Sequence, residues 1–262
     1  MGWFEREGIR FAYEEFGLRT APAIVFSHGF LMDGAMFQPN VAALSDVFRC
    51  IVWDQRGFGA TGPTDRTFSY WDSARDLIGL LDHLEVDSAS LVGMSQGGFL
   101  SMRAALLEPN RFRALALIST RSDRDDEPVK ASFEQLKIEW ARNGAANVAS
   151  PMAAFLFGPD YRASAWTAKW LRMSRDHFER PVDALTTRDD ITPRLESITH
   201  ASMVFHGLDD AAISPSCGEA LALGLPNCKG LVLVDGAGHT PNLTHPASVN
   251  PALREFLLRY GR

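Results

Sequence analysis

Three side chains of the types used in acyl transfer stand out by their surroundings: Ser95, Asp210 and His239. Ser95 lies in Gly93-x-Ser95-x-Gly97, between an apolar run, Ala89–Val92, and a segment with helical spacing from Gln96 to about Leu107. A strand that must become a helix within so few residues makes a tight turn and leaves its central residue exposed at the strand's carboxyl end. Glycine suits the flanks, where a Cβ would collide with the neighbouring strand or helix. At the start of a helix, free N–H groups can steady negative charge near the serine. A serine hydroxyl is a weak nucleophile at neutral pH. It needs a base within hydrogen-bond reach, and the base needs a third group to fix its tautomer. Asp210 and His239 follow apolar runs of their own, Met203–His206 and Leu231–Val234. All three therefore fall at strand carboxyl ends, where open α/β sheets place their sites.

The elements that must position these residues alternate. Gly8–Phe16 reads as a strand, with Ile9, Phe11 and Tyr13 on one face. Ala23–Phe26 and Cys50–Trp53 are short buried strands, and Gln38–Ser45 is a helix with Pro39 in its first turn. Tyr70–Leu84 carries an apolar stripe at helical spacing, so its acids are expected on a solvated face. Ala114–Ile118 is a further strand, and the alternation argues a mostly parallel sheet covered on both faces. After the charged break Arg121–Pro128 the pattern becomes helical as far as Arg188, rich in Phe and Trp, with no clear strand. A long insertion at the carboxyl side of a sheet is a usual place for a lid. Ser214-Pro215 opens another helix, and Ala247–Tyr260 closes the chain.

Bulk properties exclude several classes. A chain of 262 residues with 46% hydrophobic and 22% charged residues buries a full core, and its net charge of −6 argues against a nucleic-acid partner. No stretch is long and apolar enough for a membrane span. Met1–Glu7 lacks the basic-then-apolar pattern of a secretory leader, so the cytoplasm is the expected location. Three scattered cysteines suit neither a disulfide framework nor a zinc site, and no cofactor or metal is expected. Gly57-x-Gly59-x-x-Gly62 follows a strand as dinucleotide-binding loops do. Pro63-Thr64-Asp65 stands where such a loop opens a helix, so Asp54 and Arg56 are expected to tie the loop down.

Taken together, His28-Gly29, Asp54-Gln55-Arg56-Gly57-Phe58-Gly59, Gly93-Met94-Ser95-Gln96-Gly97-Gly98, Gly207-Leu208-Asp209-Asp210 and Gly236-Ala237-Gly238-His239 resemble the α/β-hydrolase superfamily over nearly the whole chain. Within it the chain looks like the compact esterases, enol-lactonases and non-haem haloperoxidase-like perhydrolases. The resemblance implies an α/β-hydrolase fold, a twisted and mostly parallel sheet flanked by helices, with a helical lid inserted after the sixth strand. The core would be residues 1–122 and 198–262, and the cap residues 123–197. It makes Ser95 the nucleophile, His239 the general base and Asp210 the orienting acid. The family spacing of glycine, two residues, then aspartate selects Asp210 over Asp209. His28, His206 and His245 are expected to be packed or backbone-bonded. The oxyanion would be held by the backbone N–H groups of Phe30 and Gln96, whose side chains are then free to vary.

The expected reaction is hydrolysis of an ester or lactone of a small molecule through an acyl-enzyme. A neutral apolar or aromatic substrate would be contacted by Phe30, Met94, Trp140, Phe155 and Trp166. The same machinery serves perhydrolysis, amide cleavage or C–C hydrolysis elsewhere in the superfamily, and a ligand sensor with slow turnover is the non-enzymatic alternative.

Overall fold

The computed structural model describes residues 1–262. Eight strands form one sheet: β1 (Gly2–Arg6), β2 (Ile9–Phe16), β3 (Ala23–Ser27), β4 (Arg49–Trp53), β5 (Ala89–Met94), β6 (Phe112–Ile118), β7 (Ala201–Gly207) and β8 (Cys228–Val234). Their order is β1-β2-β4-β3-β5-β6-β7-β8. The β1–β2 and β2–β4 pairs are antiparallel, and every other pair is parallel. From β3 the chain steps outward to β4, then returns to place β5 on the other side of β3. The strand order therefore reverses between β3 and β5, and open α/β sheets bind ligands outside the carboxyl ends at such a point.

Burial follows the two-residue period of a strand covered on both faces. Ile24 and Phe26 of β3, Val92 and Met94 of β5, and Ala114, Ala116 and Ile118 of β6 join one apolar cluster. Ala23 and Val25, Ala89 and Leu91, and Leu115 and Leu117 join the other. Helices α1 (Gln38–Leu44), α9 (Pro241–Thr244) and α10 (Pro246–Tyr260) pack on the first side. Helices α2 (Tyr70–His83), α3 (Gln96–Leu107) and α8 (Pro215–Gly224) pack on the second. No helix is long and apolar enough to cross a membrane.

Between β6 and β7 come α4 (Glu127–Asn143), α5 (Ala149–Phe157), α6 (Ser164–Trp170) and α7 (Glu179–Thr186). Trp140, Phe157, Trp166, Trp170, Phe178 and Val182 of this segment belong to the first cluster, so its core is continuous with one face of the sheet. Its two ends are tied to each other. Ile191 N–H donates to the Ser122 carbonyl over 3.1 Å, and Arg188 reaches the Asp125 carboxylate over 3.1 Å and the Asp123 carbonyl over 2.9 Å.

Two features differ from the sequence reading. β1 was not anticipated. It pairs with β2 through a stack of Phe4 on Phe11 at 4.8 Å, a cross-strand contact that the short run Gly2–Arg6 does not advertise. The acids of α2 are not all solvated. Asp76 is fully buried, with Oδ1 taking Arg6 over 2.9 Å and Arg56 over 2.7 Å, so a pair of guanidinium groups takes the place of water.

Candidate active site

The turn after β5 puts Ser95 at φ 53°, ψ −117°, a positive φ that an L-residue rarely adopts. Packing enforces it. A Cβ at Gly97 would lie 1.8 Å from the Ser27 carbonyl oxygen, and one at Gly93 would lie 2.4 Å from that of Gly97. α3 therefore sits directly against β3 and β5, and the chain turns within the single residue between them. The Ser95 N–H donates to the Ile118 carbonyl over 2.9 Å, and its own carbonyl accepts from Thr120 Oγ1 over 2.8 Å.

Ser95 Oγ is 3.0 Å from His239 Nε2, and His239 Nδ1 lies 2.8 Å and 3.0 Å from the two oxygens of Asp210. The carboxylate can only accept, so Nδ1 carries a proton and Nε2 is free to receive one from the serine. Asp210 Oδ1 also accepts from the N–H groups of Ala212 and Ile213, each over 2.9 Å. Burial alone would raise the Asp210 pKa. The electrostatic attraction to His239, with hydrogen bonds from His206, His239 and the Ile213 N–H, outweighs burial and holds the carboxyl well below the usual range. The close approach depends on Gly207, where a Cβ would lie 2.2 Å from the Gly238 carbonyl oxygen. The end of β7 thus rests on the histidine loop, and the Asp209 N–H binds the Ala237 carbonyl over 2.9 Å while the Asp209 side chain faces solvent.

His206, His28 and His245 each bond through at least one ring nitrogen. His206 Nε2 faces the Ile213 carbonyl at 2.8 Å and Asp210 Oδ2 at 3.2 Å. Both are acceptors, so Nε2 carries the proton and His206 is one more donor to Asp210, a contact beyond the packing role expected for it. His28 Nε2 accepts from the Gln55 N–H over 3.0 Å, and its Nδ1 donates to the Gly29 carbonyl over 2.8 Å. Burial holds the His28 pKa below its ordinary value, against the pull of Asp54, so it stays neutral. His245 pairs through Nδ1 with Thr244 Oγ1 over 2.9 Å. Asp54 ties its loop down: Oδ1 takes the Gly34 N–H and Oδ2 the Ala60 N–H, over 2.8 Å and 2.7 Å. No group of three or more His, Cys, Asp or Glu is placed to hold a metal ion.

Phe30 lies just past the carboxyl end of β3, and Gln96 opens α3 directly after Ser95. Gln96 is the first residue of its helix, where an N–H has no intrahelical acceptor. The side chains of these residues are not free to vary. The Gln96 amide is buried between Gln55 and Tyr70, and the Phe30 ring meets Phe58, Phe133 and Phe178 edge-on at 5.2–5.9 Å. Met94 lies beneath, its Sδ 2.5 Å from where a Cβ on Gly29 would stand.

The predicted substrate contacts divide. Met94 precedes Ser95 in the chain, and Phe30 follows Gly29, where a Cβ would lie 3.6 Å from that of Ser95. Trp140 stands one layer back, stacked on Phe178 at 4.5 Å. Trp166 packs with Phe157 and under Lys169, beside a cavity of ≈ 700 Å³ between residues 31–35, 58–63 and 169–177 that neither Ser95 nor His239 lines. Phe155 is 44% exposed on the outer face of α5, because Ala149, Ala153, Leu156 and Phe157 form the inward stripe. Phe133 and Phe178 complete the ring around Phe30. Phe178 was legible only as one aromatic among many, with no spacing signal to aim it. Ser95 and His239 are 7% and 5% exposed, and the Thr240 hydroxyl donates to the Leu156 carbonyl over 3.3 Å, which roofs the histidine loop with α5.

A family model described as alpha/beta hydrolase fold matches residues 22–246. A putative carbamate hydrolase RutD of Variovorax paradoxus is 30% identical, over 94% of this chain and 96% of its own length. The 3-oxoadipate enol-lactonase 2 of Acinetobacter baylyi is 24% identical, over 97% and 96%. Among solved structures, a thermophilic esterase from Thermogutta terrifontis superposes with a TM-score of 0.89 at 26% identity, covering 99% of this chain and 97% of that one. This chain belongs to the α/β-hydrolase fold family.

Proposed function

We propose that this protein is a serine hydrolase that cleaves a carboxylic ester or lactone through an acyl-enzyme on Ser95. The observation that carries the reading is the line Ser95 Oγ–His239 Nε2–Asp210, at 3.0 Å and 2.8 Å, on a turn forced by Gly93 and Gly97. His239 Nε2 takes the Ser95 proton as Oγ bonds to the substrate carbonyl carbon. The resulting oxyanion accepts from the Phe30 and Gln96 N–H groups. The tetrahedral adduct collapses, the carbon–oxygen bond to the leaving group breaks, and His239 returns the proton to the departing alkoxide. Water then repeats the sequence, with His239 as its base, and releases the acid and free Ser95. Asp210 keeps its charge and steadies the imidazolium in both halves.

The inserted helices act as a cap that shields the acyl-enzyme. The aromatic ring of Phe30, Phe58, Phe133 and Phe178 favours a neutral apolar or aromatic substrate. Fold alone does not choose the bond, because one scaffold hosts many chemistries. Similarity to the esterase and the enol-lactonase supports the oxygen ester. Similarity to the putative carbamate hydrolase supports a second reading, the same attack on a carbamate carbonyl. A panel of p-nitrophenyl esters, aliphatic and aromatic lactones and aryl carbamates, run with wild type and Ser95→Ala, separates them. Multiple turnover on esters or lactones that vanishes in Ser95→Ala supports the first reading. Turnover confined to carbamates selects the second. A single burst followed by silence favours a sensor.

A further inference from the structure

We infer that the side chains of Gln55 and Gln96 are positioning residues that hold the two oxyanion donors, Phe30 N–H and Gln96 N–H, at a fixed separation. The inference rests on the serine hydrolase reading above. These donors come from different segments, one after β3 and one after β5. Adjacent strands bring them near each other, with Ser27 paired to Gly93, but the pairing ends there. Beyond it a buried line of side chains takes over. Gln55 Nε2 donates to the His28 carbonyl over 2.6 Å, and the Gln55 N–H donates to His28 Nε2 over 3.0 Å. His28 Nδ1 closes on the Gly29 carbonyl, which fixes the peptide immediately before Phe30. On its other side Gln55 Oε1 accepts from Gln96 Nε2 over 3.1 Å, and Gln96 Oε1 accepts from the Tyr70 hydroxyl over 3.1 Å.

Each amide nitrogen and the Tyr70 hydroxyl in this line donates to an acceptor, and the order of the two amides is self-consistent from Tyr70 to His28. Its members are nearly or fully sealed from solvent, with His28 at 0%, Gln55 at 2%, Gln96 at 1% and Tyr70 at 3% exposure. Burial pushes the Tyr70 hydroxyl far up, so it remains a donor throughout the working pH range. A buried line of hydrogen bonds is rigid, and loss of one member leaves its neighbour without that partner. The backbone of the hole could have been held by apolar packing. Instead, an amide from the loop after β4 spans the gap between the two donor segments. An oxyanion hole works by being in place before charge develops, so looseness between its donors weakens binding of the transition state and leaves the ground state nearly untouched.

The test uses Gln55→Met and Gln96→Met, which keep length and volume and remove the hydrogen bonds, with Tyr70→Phe as a third variant that deletes only a hydroxyl. Each Met variant should lower kcat on the order of tenfold while KM stays within about twofold. Affinity for a boronic acid, whose tetrahedral adduct on Ser95 puts an oxygen in the hole, should fall by the same factor as kcat, and inhibition by the product carboxylate should not change. Tyr70→Phe should shift both quantities in the same direction, by less. The double Met variant should lose little more than either single one, because one bridge is broken once. Unchanged kcat in the folded variants, or a fall in kcat with boronate affinity intact, would overturn the inference. Wild-type protein without Ser95-dependent turnover or boronate binding would instead remove the hydrolase reading, and the positioning role with it.

Discussion

The turn around Ser95 and the four inserted helices are held by different means. Around Ser95 the backbone itself is in contact. Gly97 and Gly93 admit no Cβ, and Gly207 lets β7 rest on the histidine loop. The polar atoms there have directed partners, with Asp210 accepting from Ala212, Ile213, His206 and His239. In the inserted helices the contacts are ring on ring: Trp140 on Phe178, Phe157 against Tyr161 and Trp170, Phe30 meeting Phe133. Directed polar contacts tie this packing down at a few points: Arg188 meets Asp125 and Arg103 meets Asp189 at the ends, and between them Lys137 meets Asp183 while the Trp140 and Trp170 indoles donate to the Ser174 and Leu31 carbonyls. The first region is specified by backbone contact, and the second mainly by the packing of rings. Under the proposed function, the first would carry the reaction chemistry and the second would select substrates.

Breaking the turn should have the largest effect. Gly97→Ala places a methyl against the Ser27 carbonyl, which is backbone and cannot swing away. A loss of more than about 4 kcal/mol is expected, read as failure to yield folded protein or as collapse of the denaturation midpoint. A well-folded, active Gly97→Ala protein would contradict the packing described.

Asp210→Asn should leave the fold in place and lower kcat by roughly 10⁴, because the imidazole loses the partner that fixes its tautomer and steadies its charge. The same variant tests the carboxyl's low pKa. A group whose folded pKa lies below its unfolded value stabilises the fold above the unfolded value, about 3.9 for aspartate, and that contribution is lost as pH falls toward the folded pKa. Wild-type protein should lose stability below about pH 4 more steeply than Asp210→Asn, read from denaturation midpoints across an acid series.

In the second region the expected effects are graded. Phe178→Ala should cost about 3–5 kcal/mol, whereas Phe178→Leu should cost less than about 1.5 kcal/mol and change relative rates among substrates more than stability. Phe155→Ala, on the outer face of α5, should stay within about 0.5 kcal/mol of wild type and leave substrate preference unchanged. A large shift in preference from Phe155→Ala would return that ring to the substrate path.

The contrast explains what could be read from the sequence. Glycines that admit no Cβ, a serine between two of them, and acids or histidines just past apolar runs are signatures of backbone constraint. They located β3 to β8 and the Ser95 turn, and the family resemblance chose Asp210 over Asp209 as the partner of His239. Ring packing leaves no such trace. Phe155 and Phe157 look alike in sequence, and only the choice of inward stripe on α5 sends one to solvent and the other to the core. Buried polar partnerships were equally silent. Asp76 reads as a surface acid until Arg6 and Arg56 arrive from segments distant in sequence, and the Gln96 side chain reads as incidental until Gln55 and Tyr70 flank it. β1 was missed because its strand character comes from pairing with β2.

The central claim is that Ser95 carries the acyl group. Its most direct test is intact-mass and peptide-mass analysis after rapid acid quench of wild-type protein turning over a p-nitrophenyl ester, with Ser95→Ala alongside. The account predicts an acyl adduct confined to the peptide containing Ser95, formed during turnover, cleared as substrate is consumed and absent from Ser95→Ala. Steady turnover with no adduct on that peptide, or an adduct and turnover that persist in Ser95→Ala, would contradict it.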